Sequence, residues 1–368
     1  MADIDALFRV VIDQKGSDLH LEQGQRPKVR VNGALREIAS SQILNEEGIT
    51  ELLSEIVSMP AWHRFINKGD LDFAYTLQAN GASARFRCNF YRHVHGLGAV
   101  FRLIPSEILP LERLDMPANL AGFGDLRAGL VLVTGPTGSG KSTTMAAIID
   151  HINRNRSRKI MTIEQPVEFI HKNQRSIITH REVGEDTESF TSGLRGALKS
   201  DVDVVLVGEM RDAETIMLAL IAAERGILVF GTLHTNSAAK TIDRIFDVFP
   251  MSQKNQVRTI LANTLQAVVS QQLLKSMDGS RRWVAYEIMV RTKALGPIIM
   301  DGDSSKLVTE IQTSRDSGAT LMDECLLALV RDNRVKPEDA YMKALDKTAF
   351  IKRIHMMRQA FGGGYGSP

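Results

Sequence analysis

Eight consecutive residues, Gly135-Pro136-Thr137-Gly138-Ser139-Gly140-Lys141-Ser142, spell GxxxxGK[ST]. An apolar run (129–134) precedes them and a helical pattern (142–153) follows, the strand–loop–helix setting that this spacing requires. The glycines let the backbone curl so that successive N–H groups face one anion. The helix N-terminus behind the loop adds positive potential. Gly135 to Gly140 would thus cradle the phosphates of a nucleoside triphosphate. Lys141 would reach the β- and γ-phosphates, the Ser142 hydroxyl would ligate Mg²⁺, and Thr143 completes the loop's helical edge. A strand that feeds a helix through so tight a turn commits this part of the chain to an α/β layout. Its parallel sheet must be covered by helices on both faces.

The pattern continues downstream. Short apolar strands are expected at 160–163, 202–207 and 228–232, with helices between them. In such sheets the C-terminal strand ends carry the chemistry. Three of those ends are polar: Glu164-Gln165-Pro166-Val167-Glu168, Gly208-Glu209-Met210-Arg211-Asp212 and His234-Thr235-Asn236. Hydrolysis needs a carboxylate to orient or deprotonate water and a polar group that senses the γ-phosphate. Glu209 and Glu164 suit the first role and His234 the second. Both carboxylates would also serve Mg²⁺ through water.

The first hundred residues read as a small mixed domain. A helix is expected over 4–14, with Leu7, Val10, Val11 and Gln14 at helical spacing and Gly16 as its stop. Strands follow at 18–21, 28–31, 72–77, 84–91 and 98–103. Asn32-Gly33 marks a hairpin, and one helical stretch spans 45–65. Three prolines mark residues 105–117 as a linker. After about Gln271 the strands fade, apart from 283–289, and helices are expected at 321–331, 336–345 and 347–361. The expected organisation is therefore an N-terminal domain (1–104), a linker (105–117), an ATPase core (118–285), a mostly helical C-terminal subdomain (286–361) and a flexible tail (362–368). At about 150 residues per domain, 368 residues accommodate this.

Charge and composition exclude several classes. Lys plus Arg number 45 and Asp plus Glu 43, so no gross positive excess favours nucleic acid, and none is expected as a partner. The basic run Arg154-Asn155-Arg156-Ser157-Arg158-Lys159 reads as cations at a helix C-terminus. The longest apolar stretch, 216–233, is cut by Glu224 and Arg225, which argues against a membrane span. Asp3, Asp5 and Asp13 near the N-terminus argue against a secretory signal. Cys88 and Cys325 stand alone, without CxxC, and read as small buried hydrophobes. His93 and His95 are too few for a metal site, and Met356-Met357 reads as helix packing. A cytoplasmic location is expected.

These residues carry a resemblance. Ile163-Glu164-x-Pro166-x-Glu168, Asp203-x₄-Gly208-Glu209-Met210-Arg211-Asp212 and Thr232-Leu233-His234-Thr235-Asn236 resemble the Asp box, Walker B and His box of secretion ATPases. More narrowly, the Gly208–Asp212 motif and Thr241-Ile242-Asp243-Arg244-Ile245-Phe246-Asp247-Val248-Phe249-Pro250 resemble the retraction ATPases of type IV pili, the PilT family. Gly16-Ser17-Asp18-Leu19-His20-Leu21, Arg85-Phe86-Arg87-Cys88-Asn89 and Ala99-Val100-Phe101-Arg102-Leu103-Ile104-Pro105 are similar to that family's N-terminal domain. The resemblance implies a PAS-like α/β N-terminal domain followed by a RecA-like P-loop domain. It implies a homohexameric ATP-hydrolysing motor for twitching motility, with ATP and Mg²⁺ as ligands. The motor would lie peripherally at the inner membrane through a pilus platform protein, without inserting into the bilayer itself. A paralogous pilus ATPase is a further implied partner. Glu209 would be general base or water positioner, Glu164 its support, and His234 a phosphate sensor. Arg87 and Arg102 would reach the phosphates as an arginine clamp, with Arg195, Arg211 and Arg244 as further candidates.

Three stretches depart from the family pattern, one of them Asp201-Val202-Asp203 before the Walker B strand, where Asp-Pro-Asp is usual. Glu-Asp-Pro of the Asp box is here Glu164-Gln165-Pro166. The arginine-bearing element of retraction ATPases, Ala-Ile-Arg-Asn-Leu-Ile-Arg-Glu, is here Ala294-Leu295-Gly296-Pro297-Ile298-Ile299-Met300-Asp301, and Gly296-Pro297 is expected to break a helix at its first turn. The alternatives are a weakened or regulatory paralogue ring, or a pilus-extension or type II secretion ATPase. The second group carries a paired-cysteine element that is not found here.

Overall fold

The computed structural model describes residues 2–79, 82–104 and 107–360. The tail expected at 362–368, and residues 105 and 106 of the expected linker, lie outside them. The chain divides into two compact units. One comprises Met1–Ile108 with Gln165–Ile170 and Glu182–Asp186. The other comprises Leu109–Glu164, His171–Arg181 and Thr187–Pro368. Sequence order does not reveal that two short later segments pack with the first unit.

The first unit opens with α1 (Ile4–Asp13), β1 (Asp18–Glu22), β2 (Lys28–Val31) and β3 (Ala34–Glu37). Helices α2 (Glu46–Ser54) and α3 (Met59–Lys68) follow, then β4 (Asp70–Ala79), β5 (Ala82–His93) and β6 (Gly96–Ile104). The strands form an antiparallel sheet in the order β3-β2-β1-β6-β5-β4. Asn32 and Gly33 both take positive φ (50° and 84°), which joins β2 to β3 by the expected two-residue hairpin. The expected single helix over 45–65 is two helices. Ser58 caps α3 through the Ala61 N–H, and Pro60 sits in the first turn, where no N–H partner is lost. In α1 the fully buried apolar residues are Ile4, Phe8 and Val11, and Leu7 and Val10 only flank them.

One face of this sheet is apolar. Phe8 stacks on Phe86 (4.3 Å between centroids) and meets Phe101 edge-on, and Phe90 meets Phe65 and Phe73 edge-on. Removing such a ring costs lost transfer energy plus a cavity. Phe101→Ala is therefore expected to destabilise this unit by about 3–5 kcal/mol. The check is a lowered urea midpoint for the transition that a probe in this unit reports. The other face is polar because strand side chains alternate.

The second unit starts with a 3₁₀ turn (Leu111–Arg113) inside the expected linker, with Leu111 buried, and α4 (Asn119–Asp125). Its core alternates strand and helix: β7 (Gly129–Thr134), α5 (Lys141–Asn155), β8 (Lys159–Glu164), β9 (Ile177–Glu182), α6 (Phe190–Ala197), β10 (Val204–Val207), α7 (Ala213–Glu224), β11 (Leu228–Leu233), α8 (Ala238–Asp247) and α9 (Met251–Thr264). Then come β12 (Leu265–Lys275), β13 (Arg282–Val290), α10 (Leu295–Asp301), α11 (Ser305–Thr313), α12 (Met322–Arg331), α13 (Pro337–Lys343) and α14 (Lys347–Ala360). The sheet runs β13-β12-β7-β11-β10-β8-β9. Strands β8, β10, β11, β7 and β12 pair in parallel, and β13 is antiparallel to β12. Every residue of β7, β10 and β11 is buried, as a sheet covered on both faces demands.

Three expectations change here. The strands end at Lys275 and not at Gln271, because β12, a strand not expected from the sequence, is eleven residues long and lies beside β7; beyond it only β13, expected at 283–289, follows. Gly296-Pro297 does not break its helix: both fall in the first turn of α10, where backbone N–H groups have no intrahelical partner. Met356 is 65% exposed on α14, whereas Phe350 and Ile354 pack with Met322, Leu326 and Leu329 against β12 and β13. The basic run after α5 is held within its unit. Arg154 pairs with Asp150, Arg156 with Asp125, and Arg158 donates to the Leu126 carbonyl (2.8 Å). Cys88 and Cys325 are both buried free thiols. His93 Nε2 lies 3.0 Å from Glu22 and 3.1 Å from the Leu97 carbonyl oxygen.

Candidate nucleotide site

β7 delivers the chain to the glycine-rich loop at the edge of a buried strand. Gly135, Gly138 and Gly140 take φ of 146°, 77° and 92°, values that side chains disfavour. A Cβ on Gly135 would stand 2.3 Å from the Gln271 carbonyl oxygen, so only glycine lets the loop pass there. Gly140 is the residue before α5, and the Thr144 N–H closes the first turn onto its carbonyl (3.0 Å). The N–H groups of Lys141, Ser142 and Thr143 thus belong to the open end of a fifteen-residue helix. Lys141 Nζ donates to the carbonyls of Gly135 (2.8 Å) and Pro136 (3.1 Å), which holds its charge over the loop.

The other expected residues of this unit sit on neighbouring strand ends. Parallel register sets Leu233 of β11 beside Thr134 of β7, and Val207 of β10 beside Ile163 of β8. Gly208 continues this packing: its N–H donates to the Ile163 carbonyl (2.8 Å), and a Cβ there would lie 3.2 Å from Glu164 Cα. Glu209, after Gly208, points into a cleft of about 340 Å³ lined also by Met210, Arg211, Leu233, His234, Thr235 and Arg244. Arg211 grips Glu209 with two bonds of 2.6 Å, one to each carboxylate oxygen, and His234 Nε2 lies 3.1 Å from Oε1. Burial alone would raise the Glu209 carboxyl. The bonds and charge of Arg211, with His234 and Lys141, outweigh it and hold the carboxyl below its ordinary value. Glu209 is therefore a carboxylate at neutral pH.

Helix caps fix the loops that carry these groups. Asp212 caps α7, accepting from the Thr215 N–H and hydroxyl (both 2.8 Å). Ser237 caps α8 through the Lys240 N–H, and Thr235 and Thr241 share a 2.7 Å hydroxyl contact. Arg195 pairs with Glu214 at 2.6 Å instead of joining the cleft. Arg244 lines the cleft and, among the described residues, has no ion-pair or hydrogen-bond partner.

Arg87 and Arg102 belong to the first unit, as a cross-strand pair on β5 and β6. Arg102 Nε donates to Asp18 (2.9 Å), and Arg87 stands 3.9 Å from Glu168. Reading the sequence missed the neighbouring Arg85. It donates to the Val167 carbonyl (2.7 Å) and to Glu182 (3.1 Å), which also accepts from the Val167 and Ala74 N–H groups. Burial pushes the Glu182 carboxyl up despite these partners. The only sequence signal was Arg85 in the motif quoted for Arg87. Gln271 was also missed, because a glutamine inside an apolar strand has no motif.

For Mg²⁺ the donor set fits. Ser142 supplies a hydroxyl at the loop's edge, and Glu164 and Glu209 supply carboxylates at nearby strand ends. Among the described residues no cluster of three or more His, Cys, Asp or Glu exists to cage a metal. A hydroxyl with carboxylates acting through water suits a small hard cation that keeps its waters and shares nucleotide phosphates.

The family described as type II/IV secretion system protein matches residues 1–360. The type IV pilus retraction ATPase PilT of Pseudomonas aeruginosa is 44% identical over 342 residues, 93% of this chain and 98% of that protein. The type IV pilus ATPase PilU of the same organism is 33% identical over 93% of this chain and 88% of that one. The crystal structure of the pilus retraction motor PilT with bound ADP superposes with a TM-score of 0.86 at 38% identity, covering 95% of this chain and 99% of that chain. Among the described residues no helix is long and apolar enough to cross a membrane.

Proposed function

This chain belongs to the type II/IV secretion system protein family, and from that premise we propose that it is an ATP-hydrolysing motor of the pilus-retraction type. The observation that carries the reading is the P-loop beside the Glu209–His234 pair, on adjacent ends of one parallel sheet. The loop N–H groups and the start of α5 bind the β-phosphate, and Lys141 balances charge on the β- and γ-phosphates. Glu209 orients the attacking water and accepts its proton in hydrogen-bonding distance of His234, which reports γ-phosphate to the β11 end. Glu164 supports that water. Mg²⁺, held by Ser142 and the nucleotide, would supply charge neutralisation at the phosphates. Arg87, Arg102 and Arg244 are assigned to transition-state charge in an assembled homohexamer. The ring would work on an inner-membrane pilus platform protein.

A second reading, a ring that binds nucleotide and modulates a paralogous motor, draws on residues 294–303. There α10 carries Gly296 and Met300 where retraction ATPases carry arginine. Two measurements separate the readings. The first is steady-state Mg-ATP hydrolysis by the purified chain. The second is pilus retraction in cells whose own retraction ATPase is deleted. Turnover with restored retraction is the expected result for the first reading. Nucleotide binding without turnover, and no retraction unless a paralogue is present, supports the second.

A further inference from the structure

β12 forms a wall of the P-loop. On one face of it Ser270 shares a 2.7 Å hydroxyl contact with Thr134, the last residue of β7, with both side chains fully buried. The next residue, Gln271, is 1% exposed and reaches across to the loop itself. Its Nε2 donates to the Ser139 carbonyl at 3.0 Å, and its own backbone carbonyl stands where a Cβ of Gly135 would have to go. Two points of the loop, Gly135 and Ser139, are therefore referenced to one residue of β12. Ser139 is itself only 2% exposed, so water has little access to its carbonyl.

We propose that Gln271 is the positioning residue of the phosphate loop, setting its curvature through the Ser139 carbonyl so that the loop N–H groups converge on the β-phosphate. A peptide plane has its carbonyl and the following N–H on opposite sides. Anchoring the Ser139 carbonyl toward β12 turns the Gly140 N–H away from the strand and toward the concave side of the loop. Without the anchor the Ser139–Gly140 peptide, with glycines on both sides of Ser139, can rotate and the cradle is no longer preorganised. Gln271 does not touch the reacting atoms in this arrangement. It acts through the loop.

The inference rests on the nucleotide-binding reading, and the test separates the two. ATP and ADP affinities are measured with a fluorescent nucleotide analogue for the wild-type chain, Gln271→Met, Gln271→Glu and Gln272→Met. Gln271→Met keeps length and loses the donor. Gln271→Glu is isosteric and presents an acceptor to the Ser139 carbonyl. Gln272 points to the opposite face, where it donates to the Lys343 carbonyl (3.2 Å), and serves as a control for lost hydrogen bonding on the same strand. Losing one donor to a buried acceptor is expected to weaken ATP and ADP binding about tenfold in both Gln271 variants. KM for ATP rises correspondingly, kcat at saturation changes by less than about twofold, and Gln272→Met binds like wild type. A wild-type chain that binds no nucleotide overturns the functional reading instead. A folded Gln271 variant with wild-type affinity overturns the inference, as does an equal loss in Gln272→Met. Failure of both Gln271 variants to fold also overturns it, since Gln271 would then determine the fold and not the affinity.

Discussion

Lys141→Ala is expected to lose nucleotide binding and, with it, hydrolysis. The ammonium is the only side-chain cation that the loop itself carries, and it sits over the Gly135 and Pro136 carbonyls. Alanine is a good helix former, so α5 itself should persist. What disappears is the charge that the proposed function assigns to the phosphates. Losses of about 10²–10³-fold accompany removal of one such group from transition-state stabilisation, and weakened ground-state binding adds to this in kcat/KM. The checks are a fluorescent-nucleotide titration and steady-state phosphate release. Hydrolysis at the wild-type rate by a folded Lys141→Ala chain would remove the P-loop from the chemistry.

Glu209→Gln is expected to separate binding from turnover. The amide is nearly isosteric and still offers one acceptor to Arg211 and His234, so ATP affinity should stay near wild type. Proton acceptance is lost, and kcat should fall about 10²–10⁴-fold. Unchanged turnover would move the base role to Glu164.

The pH dependence follows from the same geometry. In the proposed mechanism hydrolysis needs Glu209 deprotonated. Burial pushes its carboxyl up, but Arg211, His234 and Lys141 together hold it below the ordinary value. Activity limited by this group is therefore retained down to acidic pH and lost only as pH falls through the lowered pKa. Arg211→Gln leaves burial, which raises the carboxyl, and removes the largest of the lowering influences. Its acid limb is expected to move to higher pH. The same variant releases both carboxylate oxygens from the guanidinium and leaves only His234 beside Oε1, so Oε2 is open to water and kcat at neutral pH should not fall. A pH–rate profile of the variant that superposes on the wild type would show that Arg211 does not govern the base.

Much of this site was legible because its determinants are local. The P-loop needs only glycines, a lysine and a hydroxyl at fixed spacing between a strand and a helix, and all lie within a few residues of one another. The hairpin at Asn32-Gly33 is likewise set by near neighbours. The strand ends at Glu164, Glu209 and His234 could be read from apolar runs alone, because a parallel sheet buried on both faces leaves few alternatives.

Tertiary structure decided what depends on which strands become neighbours. β12 escaped the pattern because α9 runs straight into it without a turn residue, and its buried Ser270-Gln271-Gln272 interrupts the apolar run. Its place beside β7 then creates the Gln271–Ser139 contact between residues 132 apart. The assignment of Gln165–Ile170 and Glu182–Asp186 to the first unit, and the Arg85–Glu182 pair that accompanies it, has the same origin. Spacing along a chain specifies dihedrals and faces within an element. It carries no information about the partner across a sheet, which is settled only when the buried faces of distant segments compete for one another.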